Sequence, residues 1–164
     1  IKRHIMRQLL ILTGITLFFS CNQAENKHEP EVKFDIAPVK THIIKMNESY
    51  SERFISNDSL FYVDRYCAEA EVYSPNMPAV KGREAIRKFF YNDGNNKEAK
   101  IELPAGSFYG SADLVVEEGT YNFPDGKGGS VDEGKFIALW KQEEGVWKLF
   151  REIWNTDTAP VTAK

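Results

Sequence analysis

The sequence predicts an α+β domain: three N-terminal helices packed on an antiparallel sheet made of a four-strand meander plus one short strand. Two observations predict it. Apolar residues recur at helical spacing through the first half, and the period drops to two after Asn96. Helices followed by consecutive strands are the order expected of helices layered on one face of an antiparallel sheet.

The first helix is read from Val39, Ile43, Met46, Tyr50 and Phe54, whose steps of 4, 3, 4 and 4 lay one stripe along a helix face. Asp35 is its expected N-cap, and Pro38 falls in the first turn, where a missing N–H costs nothing. Asn57-Asp58 ends it, and Asp58 caps a short second helix running to Tyr66. Glu71 to Ser74 is the short strand, closed by the turn Pro75-Asn76-Met77-Pro78. Gly82-Arg83-Glu84 opens the third helix, with Ile86, Phe89 and Phe90 on its apolar face.

The meander strands are Lys97 to Tyr109, Leu114 to Phe123, Asp132 to Gln142 and Val146 to Asn155. Gly110-Ser111, the Asp125-Gly126 to Gly129 loop, and Glu144-Gly145 supply the turns.

Ahead of this domain stands a basic Met6-Arg7-Gln8, an apolar run Leu9 to Phe19, and Ser20-Cys21. This resembles a bacterial lipoprotein signal, in relaxed form because Phe18 stands where Leu is preferred. Met6 reads as the start, with Ile1 to Ile5 upstream of it. The run is shorter than the roughly 20 apolar residues a spanning helix needs. The expectation is cleavage before Cys21, lipid on Cys21, and a place in the cell envelope facing the periplasm or the exterior. An ordinary secretory peptide and an uncleaved anchor are the alternatives. Residues 22–34 are polar and read as a flexible tether, residues 35–158 as the domain, and 159–164 as a disordered tail.

Removal of Lys2, Arg3 and Arg7, with no acidic residue, moves the net charge from −3 to −6. That sign excludes nucleic acid as a partner, which needs a basic footprint. With Cys21 lipidated, Cys67 has no disulfide partner and reads as a small buried hydrophobe. His4, His28 and His42 share no metal-ligand spacing, so neither a metal nor a cofactor is expected; His42 reads as a solvated helix residue.

Several marks recur together: Tyr66-Cys67-Ala68-Glu69-Ala70-Glu71-Val72-Tyr73-Ser74-Pro75, then Lys81-Gly82-Arg83-Glu84-Ala85-Ile86-Arg87-Lys88-Phe89-Phe90. Gly119-Thr120-Tyr121, Gly134-Lys135-Phe136, Gly145-Val146-Trp147-Lys148 and Trp154-Asn155-Thr156-Asp157 follow. In this order they resemble the nuclear transport factor 2-like superfamily, and within it the SnoaL-like and ketosteroid isomerase homologues. The resemblance implies a cone-shaped fold with a curved sheet around a cavity. It also implies where an isomerase keeps its groups. The phenol donor falls on Tyr50, the carboxylate base on Ser74, and the second oxyanion acid near Ile137. A hydroxyl without a histidine beside it is no base at neutral pH, and an isoleucine donates nothing, so ketosteroid isomerisation is not expected.

If Ile137 faces the cavity, so do Lys135 and Leu139, and the matching face of the last strand carries Phe150, Glu152 and Trp154. A two-residue turn at Glu144-Gly145 then sets Ile137 opposite Glu152, with Lys135 diagonal to it. This pair is either a rim salt bridge or a cavity acid–base group with Tyr50 as donor. The expected lining is Tyr50, Phe54, Phe89, Phe90, Lys135, Ile137, Phe150, Glu152 and Trp154, with Glu152 and Tyr50 as the catalytic candidates.

The opposite face, Phe136, Ala138, Trp140, Trp147, Leu149 and Ile153, is apolar and calls for a homodimer through the sheet. Three functions compete. The first is a lipid-anchored domain binding a small apolar or aromatic ligand, and the second a SnoaL-like enzyme of isomerase, cyclase or dehydratase type moving a proton through Glu152. The third is a non-catalytic adaptor in an envelope complex.

Overall fold

The computed structural model describes residues 33–90 and 100–158. The expected export signal with Cys21, most of the expected tether, the start of the strand expected from Lys97 and the expected 159–164 tail lie outside these residues. The elements are α1 (Ala37–Glu48), α2 (Tyr50–Ile55), α3 (Phe61–Arg65), β1 (Tyr66–Tyr73), β2 (Val80–Lys81), α4 (Arg83–Phe90), β3 (Ser107–Gly110), β4 (Val115–Pro124), β5 (Ser130–Glu143) and β6 (Val146–Thr156).

The predicted stripe survives a break at Ser49, which splits the first helix into α1 and α2. Val39, Ile43 and Tyr50 are buried, and Met46 and Phe54 pack against the same core. Pro38 sits at the helix start as expected, but Ile36 is the N-cap residue. Asp35 instead accepts the Ala37 N–H at 3.0 Å, one residue further out than a cap. Ser51 locks α2 to the segment before β3, donating to the Ile101 carbonyl at 2.6 Å and accepting its N–H at 2.8 Å.

One six-stranded sheet runs in the order β2-β1-β6-β5-β4-β3. The meander β3 to β6 is antiparallel as predicted, but β1 joins β6 in parallel, so the sheet is mixed rather than antiparallel. β2 runs against β1, α4 carries the chain back, and the three antiparallel steps from β3 then leave β6 running with β1. β1 is also longer than the expected Glu71 to Ser74, running over eight residues. Glu144 and Gly145 both have positive φ and form the tight turn that pairs Glu143 with Val146.

The predicted register then fails by one residue. Trp140 pairs with Leu149, but Leu139 pairs with Arg151, leaving Phe150 as the extra residue of a β-bulge. Because side chains alternate, this one residue decides which face of β5 shares a side with Glu152. Phe136, Ala138 and Trp140 point to the helices and are buried, whereas Lys135 and Ile137 are on the outer face. The six-residue outer patch is therefore corrected: Phe136, Ala138, Trp140, Trp147 and Leu149 are core, and Ile153 alone is exposed, beside Ile137.

Two smaller expectations change. His42 is half-buried and its Nε2 lies 2.9 Å from the Trp147 carbonyl, rather than in solvent. Phe34, expected at the end of the tether, packs its ring 6.3 Å from that of Trp147. Cys67 is fully buried, as its reading as a hydrophobe requires.

Candidate functional site

Between the helices and the inner sheet face lies a cavity of about 280 Å³. α2 contributes Tyr50 and Phe54, and α4 contributes Phe89 and Phe90. Ile101 and Leu103 come from the chain before β3, and Tyr121 and Phe123 from β4. Phe136 closes one wall from β5, and Glu152 and Trp154 from β6. Among the described residues, Glu152 is the one carboxylic acid in this lining.

The aromatic wall is fixed by ring contacts. Phe90 stacks on Trp154 at 6.1 Å and meets Phe89 at 4.9 Å, while Tyr50 stacks on Phe54 at 5.8 Å. Each such pair holds its rings beyond what area burial alone provides. Tyr121 donates to Asp132 at 3.0 Å, and burial beside that carboxylate raises its hydroxyl to about 12. A Cβ on Gly134 would lie 2.8 Å from the Tyr121 ring, so this glycine makes room for it.

Glu152 faces Ala138 across the ladder, and the small neighbour leaves its carboxyl side open to the cavity. The Tyr66 hydroxyl donates to Glu152 Oε2 at 3.3 Å. Burial raises the Glu152 carboxyl above the ordinary carboxylate range; Arg65 and the Tyr66 bond oppose the rise. Burial likewise raises the Tyr50 hydroxyl well above its ordinary value, with Arg65 opposing and Glu152 adding to it.

Behind the cavity wall is a polar cluster that the sequence reading missed. Arg65 is fully buried with its guanidinium over three rings, 4.9 Å from Tyr50, 5.4 Å from Trp140 and 5.9 Å from Tyr66. It donates to Asn47 Oδ1 at 3.0 Å, and Asn47 Nδ2 donates to Glu117 Oε1 at 2.7 Å. Trp140 Nε1 donates to Glu117 Oε2 at 2.9 Å. The signals were weak but present. Asn47 follows Val39 and Ile43 at steps of four, and Glu117 shares the parity of Val115 and Tyr121 on β4.

Of the expected lining residues, the structure brings together Tyr50, Phe54, Phe89, Phe90, Glu152 and Trp154. Lys135, Ile137 and Phe150 do not belong to it. Lys135 pairs with Asp157 on the outer face, and Ile137 is exposed there. Phe150, the bulge residue, lies against cations, 4.1 Å from Lys141 and 3.7 Å from Arg151. The Lys135–Glu152 pair is therefore not formed. The bulge explains all three, since it reverses the parity of β5 relative to β6.

No protein-family model and no curated protein matches the chain. Solved structures do match its shape. A nuclear transport factor 2-like superfamily protein from Salmonella enterica is similar at TM-score 0.59 and 14% identity, over 79% of this chain and 99% of that one. A ketosteroid isomerase-like protein from Erwinia carotovora is similar at TM-score 0.58 and 13% identity, over 76% and 97%. A cystatin-like-fold protein of unknown function from Nostoc punctiforme reaches TM-score 0.62 at 12% identity, over 80% and 99%. At these identities the likeness speaks for the fold: the chain has the nuclear transport factor 2-like fold, which ketosteroid isomerase-like proteins share.

Proposed function

We propose that this domain is a lipid-anchored, extracytoplasmic binder of a small apolar or aromatic molecule, held in the cavity with Glu152 as its polar anchor. One observation carries the binding reading: an aromatic-walled cavity of about 280 Å³ with the Glu152 carboxyl on its wall. Cavities that are mostly apolar with few polar groups are the usual form of small-molecule sites. The envelope placement rests on the apolar Leu9 to Phe19 run followed by Cys21. Ketosteroid isomerisation finds no support. Ser74 stands at the expected base position, and the inward residues where Ile137 was expected are Phe136 and Ala138.

A second reading is favoured by the upward shift of Glu152: a carboxyl raised by burial on a cavity wall is suited to proton transfer, so an enzyme acting on an activated carbon is the alternative. The adaptor reading, in which side chains fill the cone, is disfavoured by the open cavity. A homodimer through the outer sheet face is also proposed, resting on exposed Ile137 and Ile153 rather than on Trp140 and Leu149.

Thermal denaturation with steroid, polyketide, phenolic and lipid-like compounds tests the binding reading. Stabilisation that disappears when Trp154→Ala opens the wall supports it. No shift from any class overturns it. Mass spectrometry of membrane-extracted protein tests the anchor, where a free Cys21 thiol would overturn it.

A further inference from the structure

The cavity wall is unbalanced in charge. Among the described residues, no lysine, arginine or histidine lines it, and its one acid, Glu152, is half-buried and open to the cavity. The rest of the lining is aliphatic or aromatic. Glu152 Oε2 accepts the Tyr66 hydroxyl at 3.3 Å, and Oε1 has no hydrogen-bond partner among the described residues. An acceptor oxygen on the wall of an otherwise apolar space is a place for a donor or a positive charge brought by a ligand.

The guanidinium behind the wall does not cancel this acid. Among the described residues Arg65 is the one cation that acts on Glu152, and it acts on Glu117 as well. It donates to Asn47 Oδ1 and lies over Tyr50, Tyr66 and Trp140, with no ion pair to either carboxyl among these residues. Two carboxyls around one guanidinium leave the cluster one positive charge short. The other groups around Glu152 supply none. α2 brings Tyr50, β1 brings Tyr66, and β4 brings Glu117 and Tyr121. α4 and β5 bring phenylalanines and Ala138.

Aromatic rings meet the other half of the requirement. Their faces carry negative potential, so they hold a cation that an aliphatic wall would only desolvate. Arg65 is already held in this way, 4.9 Å from the ring of Tyr50, itself a cavity residue. Tyr50, Phe54, Phe89, Phe90, Phe136 and Trp154 surround the space from four elements.

We infer that the cavity takes an organic cation: a primary or methylated ammonium group set against Glu152, on an apolar or aromatic body held by the rings. The inference rests on the ligand-binding reading above and names its ligand class. An ammonium at Oε1 supplies the missing positive charge and, where it carries an N–H, the missing donor. Burial raises the Glu152 carboxyl and a cation beside it draws it back down, so binding and ionisation favour one another. Affinity for a cation of fixed charge therefore rises with pH through the Glu152 midpoint.

The test titrates the full chain by calorimetry with three probes of similar shape: benzyltrimethylammonium, benzyl alcohol and benzoate. Wild type at pH 8 is expected to bind benzyltrimethylammonium at least ~10-fold more tightly than benzyl alcohol, with benzoate weakest. At pH 5 the cation should bind at least ~3-fold more weakly than at pH 8, while benzyl alcohol is unmoved. In Glu152→Gln the preference for the cation and its pH dependence should both disappear, with benzyl alcohol binding kept as the sign of an intact cavity. Benzyl alcohol binding as tightly as the cation in wild type overturns the inference and leaves the ligand reading standing. That comparison decides even if Glu152→Gln does not fold. Cation binding unchanged in Glu152→Gln puts the cation elsewhere and overturns it too. If none of the three binds, the inference falls, and the compound panel above decides whether the ligand reading falls with it.

Discussion

The Tyr66 hydroxyl donates to Glu152 Oε2 at 3.3 Å, and Tyr66 directly follows Arg65 at the turn from α3 into β1. The parallel β1–β6 pairing brings the two together, because Tyr66 aligns with Leu149 and the bulge then carries β6 on to Glu152. The cavity carboxyl is thus tied to the same short segment that carries the buried guanidinium.

Tyr66→Phe removes one hydrogen bond and keeps the ring stacked near Phe90, 6.5 Å away. The expected loss is about 1 kcal/mol in urea denaturation. Because the bond favours the ionised carboxyl, its removal should raise the Glu152 midpoint further. A lowered midpoint would show that Tyr66 accepts from Glu152 rather than donates to it.

Glu152 also makes stability depend on pH in a direction opposite to that of ordinary salt-bridged acids. Its folded carboxyl titrates above the ordinary 4.5, so the folded state holds more protons than the unfolded chain in that window. Stability then falls as pH rises from the unfolded value through the raised folded one, and the penalty persists above it. Glu152→Gln should be equal to wild type below the window and gain on it progressively as pH rises. Parallel stability curves for the two proteins from pH 4 to pH 8 would refute this.

Arg65→Met should be among the most damaging substitutions of the buried cluster, since it removes the guanidinium that stabilises the charged forms of both Glu117 and Glu152. The expected cost is about 3–5 kcal/mol. The pair Arg65→Met with Glu117→Gln should cost less than the sum of the two single changes, because the carboxyl that lost its guanidinium neighbour is gone as well. An additive double-mutant cycle would mean that Arg65 and Glu117 do not sense one another.

Much of the fold was legible because the patterns that carry it are local. The stripe Val39, Ile43, Met46, Tyr50 and Phe54 marked the helical face, and Glu144-Gly145 marked the last hairpin and its first pairs. The cavity was half legible. Glu152 and Trp154 lie on β6, whose parity could be read, but Lys135 and Ile137 were placed through a register that a bulge at Phe150 breaks. No composition signal marks that bulge, since Phe150 reads as one more apolar strand residue. Arg65, Asn47 and Glu117 stayed hidden for another reason: charged residues in a sequence read as solvated, and only the assembled core shows that they satisfy one another.

Gly134 gives the sharpest test of how the cavity mouth is built. A Cβ there would fall 1.9 Å from the Asn155 carbonyl oxygen and 2.8 Å from the Tyr121 ring, a clash with backbone that no rotamer relieves. Gly145, in the hairpin turn, has a positive φ of 78° and open space around it. Gly145→Ala therefore meets only backbone strain, expected at about 1 kcal/mol. Gly134→Ala must push β6 or Tyr121 away, at an expected cost of about 2–4 kcal/mol. It should also loosen the Tyr121–Asp132 bond, lowering the Tyr121 hydroxyl from about 12 toward an ordinary phenol, which ultraviolet titration reads directly. If Gly134→Ala is no more destabilised than Gly145→Ala and Tyr121 titrates as before, the close approach of Tyr121 to β5 is not what shapes the mouth.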